Sequence, residues 1–168
     1  MRRTWLILAA AVAIAAILGS VGVASAQEGT TTTKDSTVQG PGPLVNGGLR
    51  LTDVVPRGGA TGVPKDQTVK ATFNKALDPA TVNNTTFRLK DKQTGTFVDA
   101  TVSVSNNNPK VARLSPTTNL THGDSYKAII EGGATGVLAT DGSQLSSVNT
   151  SQGIHFDGTQ AYWSFKVK

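Results

Sequence analysis

Three stretches of this chain alternate apolar and polar residues. QTVKATFNK (67–75) sets Val69, Ala71 and Phe73 on one side, VDATVSVS (98–105) does so with Val98, Ala100, Val102 and Val104, and AYWSFKVK (161–168) with Ala161, Trp163, Phe165 and Val167. A period of two is that of a β-strand, whose successive side chains face opposite ways. Segments 49–55, 86–91, 111–115 and 125–131 bring the expected strands to seven, with Gly, Pro, Asn and Asp between them. No ten-residue window sustains a helical period, and the exception expected is one short turn within 74–82, where Asp78 can cap and Pro79 can open it. Seven strands in about 120 residues predict an all-β, immunoglobulin-like β-sandwich. The chain has no cysteine, so this sandwich carries no disulfide and must be held by its core.

The ends of the chain differ in texture from this region. MRRTWLILAAAVAIAAILGSVGVASA (1–26) places Arg2 and Arg3 ahead of an apolar run that finishes in the small-x-small pattern Ala24-Ser25-Ala26, the signature of a cleaved secretory signal peptide. Residues 27–48 are rich in Thr, Gly and Pro and nearly free of apolar side chains, which predicts a flexible tether. The domain then spans 49–168. Of the 16 basic residues, 14 remain without Arg2 and Arg3, against 11 acidic ones, so the exported part has a formal charge of +3. Its lysines and arginines are scattered singly along the sequence, which argues against nucleic-acid binding. The expected location is secreted, in the free form or at the cell surface, with no membrane contact once the signal is removed.

GGATGV occurs twice, at 58–63 and 132–137. Neither copy leads into Gly-Lys-Ser/Thr or shows GxGxxG spacing, so neither reads as a phosphate loop. The sequences flanking the two copies do not align, which excludes a duplication. Both copies are expected to be turns that use glycine for its backbone freedom.

VVPRGGATGVPKDQTVKATFNKALDPATV, a Phe-x-Leu strand, ARLSPTTNLTHGDSYKAII, ATDGSQL and a closing YWSFKV follow one another in this order. The series resembles the bacterial Ig-like domain of the S-layer protein (SbsA) type over about residues 49–168. The resemblance implies an Ig-like sandwich with a structural or adhesive role and no catalytic site. Independently of it, the spacing Leu120-Thr-His-Gly123-Asp-Ser-Tyr126 is that of a tyrosine corner, in which a tyrosine hydroxyl folds back onto the backbone upstream. Ala128 then stands where a disulfide-bonded domain carries cysteine, leaving Trp163 and the phenylalanines, Phe73 and Phe165 among them, to fill the centre. The stretch SSVNTSQGIHFDGTQ (146–160) departs from the resemblance as an insertion, expected at a tip of the sandwich.

Few residues suggest chemistry. His122 belongs to the tyrosine-corner turn, and His155 with Asp157 lacks a nucleophile elbow. The sole methionine is Met1, which leaves a copper site without thioether ligands. Asp78, Asp141 and Asp157 do not follow calcium-loop spacing. We therefore expect no catalytic residue, cofactor or metal, and a monomeric interaction or structural module. Its contact surface is expected at Phe156, His155 and Tyr162 in or beside the insertion, and its partner is an envelope protein or, alternatively, a wall polysaccharide or peptidoglycan.

Overall fold

The computed structural model describes residues 47–168. The signal segment and nearly all of the tether expected from the sequence lie outside the described residues. Nine strands form two sheets: β1 (Leu49–Val55), β2 (Val69–Phe73), β3 (Phe87–Asp91), β4 (Ala100–Ser105), β5 (Asn108–Pro116), β6 (Ser125–Glu131), β7 (Leu145–Val148), β8 (His155–Phe156) and β9 (Gln160–Lys166). The sheet of five runs β4-β5-β2-β1-β7 and the sheet of four runs β3-β6-β9-β8. Pairing is antiparallel except between β1 and β7. The short turn after Asp78 is a 3-10 turn over Pro79–Thr81, and the Asp78 carboxylate accepts the Ala80 N–H at 3.0 Å.

All seven strands expected from the sequence are present, β1 and β6 with the expected bounds and the other five with shifted ends. The other two, β7 and β8, come from the insertion, and they correct its expected placement at a tip. Its first half lies parallel to β1 at the edge of the five-stranded sheet, and its second half pairs with β9 at the edge of the four-stranded one. Ile154, at 2% exposure, is driven into the core between them. Strands of four and two residues are too short to show a period in sequence.

Both copies of GGATGV hold this crossing in place. The Gly58 N–H donates to the Gln152 carbonyl at 2.9 Å, and a Cβ on Gly58 would lie 2.1 Å from the Gly153 oxygen. In the second copy the Gly132 N–H donates to the Thr159 carbonyl at 2.7 Å, where a Cβ would come within 2.6 Å of that oxygen. The glycines thus serve close backbone approach as well as turning.

The core lies between the sheets. Trp163 is fully buried, faces Ala128 across the β6–β9 ladder, and approaches Phe87 at 6.2 Å between ring centroids. A small residue opposite the indole leaves room for the largest side chain where a disulfide would otherwise sit. Tyr126 is buried at 2% and stacks on its cross-strand partner Phe165 at 6.0 Å. Its hydroxyl accepts the Thr121 N–H at 2.9 Å, five residues upstream. Around that corner Leu120 is buried and donates its N–H to the Lys65 carbonyl, while Gly123 takes φ 85° and donates to the Val167 carbonyl. Phe73, at 2%, fills the five-stranded side.

Two outcomes follow for stability. Gly58→Ala should destabilise the domain by about 1–3 kcal/mol through overpacking against Gly153, whereas Gly47→Ala, with nothing within 4 Å, should be near neutral; urea unfolding separates the two. Tyr126→Phe should cost about 1–2 kcal/mol because the Thr121 N–H loses its acceptor, read as a lower midpoint in the same titration.

Candidate functional site

Strand pairing decides which exposed side chains meet. On the four-stranded sheet, outward positions alternate with buried ones along β3, β6 and β9. The register then sets Arg88, Ile129, Tyr162 and His155 in one row, and Lys90, Lys127 and Ser164 in the next. Lys92 follows β3 and donates its N–H to the Ser125 carbonyl at 2.9 Å, while Ser125 pairs with Lys166 on β9. Lysines that are scattered in sequence are neighbours on this face.

The three residues nominated from sequence for contact do not act together. His155 and Tyr162 are cross-strand partners on the outer face, stacked at 5.3 Å between centroids and 18° between planes. Phe156 points the other way: it pairs with the buried Ala161 and packs against the core. Tyr162 is not an open platform either. β8 and β6 flank β9 on opposite sides, so His155 approaches the tyrosine ring from one side and the Lys127 ammonium, 3.7 Å from the ring centroid, from the other.

Phe97, 48% exposed, lies against the far margin of this face, with the Arg88 guanidinium 4.4 Å and the Lys90 ammonium 5.9 Å from its centroid. Cations over aromatic faces are held electrostatically while their outer sides stay open to solvent. No sequence signal could have found this arrangement, because Arg88, Lys127 and Phe97 come from three separate segments that only strand pairing brings to one face.

The electrostatics of the face are one-sided. Glu131 is the only acidic residue at its outward strand positions, and it is engaged by Arg88. Asp157, in the β8–β9 turn, accepts from the Gln160 and Thr159 N–H groups and the Thr159 hydroxyl, bonds that hold its carboxyl below the ordinary value. The other ion pair among the described residues, Lys75 with Asp141, lies elsewhere. Among the described residues, Lys90, Lys92, Lys127 and Lys166 therefore have no carboxylate within 4.0 Å, although the charge of Lys127 also acts on Asp157 at longer range. Lys90 and Lys127 stand directly opposite each other in the ladder, and their ammonium groups turn apart, toward Phe97 and Tyr162.

Two adjoining depressions lie among these residues. One, of about 370 Å³, is lined by Lys92, Lys127, His155 and Tyr162; the other, of about 160 Å³, by Lys92, Ser125 and Lys166, and both share Gly59 and Ser164. Among the described residues no group of three His, Cys, Asp or Glu side chains is placed to hold a metal ion. His122 sits on the tyrosine-corner turn and lines neither depression.

The fold is similar to those of solved structures. CopC from Methylosinus trichosporium OB3b is 20% identical, with a TM-score of 0.52, covering 71% of this chain and 93% of its own. PcoC from Escherichia coli, described as a methionine-rich copper resistance protein, is 14% identical at a TM-score of 0.52, over 72% of this chain and 99% of its own; this chain has one methionine, Met1. The S-layer protein SbsC is 19% identical at a TM-score of 0.47, and the match spans 72% of this chain and 14% of that much longer one. No curated protein matches. The family profile of the bacterial Ig-like domain matches residues 45–167, the whole two-sheet body with its insertion, and the chain belongs to the bacterial Ig-like domain family.

Proposed function

We propose that this chain is an exported, non-catalytic module that binds the cell envelope through the outer face of its four-stranded sheet, with an anionic wall glycan as its ligand class. The single observation that carries this reading is the basic face itself. Four lysines that form no ion pair among the described residues share it, and three of them, Lys92, Lys127 and Lys166, line its two depressions. Clustered charge of one sign attracts polymers of the other and raises their local concentration. Phe97 and Tyr162 place basic groups along the face, Arg88 and Lys90 over the first ring and Lys127 over the second. Export is supported by the signal pattern in residues 1–26. The surface replaces the insertion loop as the contact region, since that loop is built into both sheet edges.

Co-sedimentation of the purified chain with isolated bacterial envelopes tests the reading. Binding should survive protease treatment of the envelopes and should fall steeply as salt is raised, because exposed charges are screened beyond about 8 Å at physiological ionic strength. Lys90→Glu with Lys127→Glu should lower binding at least about tenfold, and Lys110→Glu, on β5 of the other sheet, should leave it unchanged. Binding that vanishes with protease and ignores salt would instead identify a protein partner and overturn the glycan reading.

A further inference from the structure

Two open sheets have four edge strands, and an exposed edge is a template for further pairing unless the protein blunts it. Three of the edges here are blunted. β7 has four residues and β8 only two. The free side of β3 is covered by the chain that follows it: Lys90 bridges to Phe97, the Val98 N–H donates to the Leu89 carbonyl at 2.8 Å, and the Asp91 N–H donates to the Thr96 carbonyl at 2.9 Å.

β4 has none of this protection. Its six residues, ATVSVS, include no charge, proline or glycine, and among the described residues its one pairing partner is β5. The only irregularity is a register shift at its last residue, Ser105. Charged residues are the commonest guard on natural edges, and the outward positions here are the exposed, neutral Thr101 and Ser103.

The same side of the sandwich also leaves apolar surface open. Val98, Ala100, Val102 and Val104 form an inward row that packs against the core yet stays partly exposed. Beside it, a cavity of about 140 Å³ opens between the sheets, lined by Phe87, Val98, Val102 and Leu114 together with Phe97. Phe97 is also the most exposed large hydrophobic side chain among the described residues. Unpaired main-chain groups, half-covered valines and an exposed phenylalanine coincide along one margin.

We propose that β4 pairs antiparallel with β4 of a second copy of this chain, joining the two five-stranded sheets into one. The occupant is a second copy because a neutral strand of alternating valine and hydroxyl residues meets itself without like-charge repulsion, with Thr and Ser facing Thr and Ser on one side and Val facing Val on the other. An isologous contact of this kind closes on a two-fold axis, here perpendicular to the joined sheet. That symmetry has a consequence for the basic surface. It puts both four-stranded sheets on the same side of the joined sheet, so the two lysine faces point the same way. A pair so arranged engages a surface polymer at two points, and the second contact forms at high effective concentration. The pairing rests on the β4 edge alone and stands or falls separately from the glycan reading.

Sedimentation of the purified chain over a range of concentrations, with no envelope present, tests the proposal. A reversible monomer–dimer equilibrium is expected, in place of the monomer expected from sequence. Thr101→Lys with Ser103→Lys should weaken association at least about tenfold through like charges set opposite one another, and an unchanged unfolding midpoint would show that the fold is intact. Because the chain has no cysteine, single-cysteine variants give a second readout: Ser103→Cys should oxidise to a covalent dimer and Lys65→Cys should not. A monomer at every concentration, a dimer indifferent to the two lysines, or equal cross-linking at both positions would overturn the proposal.

Discussion

Everything in this domain depends on the ladder between β6 and β9. It carries Tyr126 opposite Phe165 and Ala128 opposite Trp163, and it supplies the largest buried side chains of a sandwich that has no cysteine to brace it. Burying an aromatic side chain removes a large apolar area from water, and close packing makes its position specific. A covalent bridge would fix one point between the sheets. The indole instead spreads the contact over Phe87 on the neighbouring strand, and the tyrosine hydroxyl anchors the approach to β6 by one hydrogen bond. Since inward positions are committed to this packing, the alternate positions on the same strands must face solvent, and these are the residues that make the basic surface.

The insertion illustrates how a polar segment can be structural. Its sequence offers only Val148, Ile154 and Phe156 as apolar anchors, yet it adds an edge strand to both sheets. What makes this possible is the absence of side chains at Gly58 and Gly132, which lets backbone meet backbone. The repeated hexapeptide is thus the same solution used twice for the same problem, a chain leaving a sheet while another passes close by.

The two sides of the molecule are unequal. One margin is closed by the insertion, and the other ends in β4 and the exposed Phe97. Unequal sides give the sandwich a direction, with a basic sheet facing outward and an unguarded strand at one flank. The clustered lysines and the neutral edge strand are what the functional readings rest on.

The sequence by itself determined the strands that alternate, the faces they bury, the tyrosine corner, the capped turn at Asp78 and the family. These are local: a period of two fixes which side chains share a face, and a turn residue acts within a few positions of itself. Tertiary structure alone decided that Phe156 turns inward while its neighbour His155 stacks on Tyr162, that four lysines from three strands and a loop share one face, and that β4 is an open edge. Each of these depends on which strand lies beside which and in what register. Register and strand order are set by core packing between segments far apart in the chain, so no window of sequence contains them.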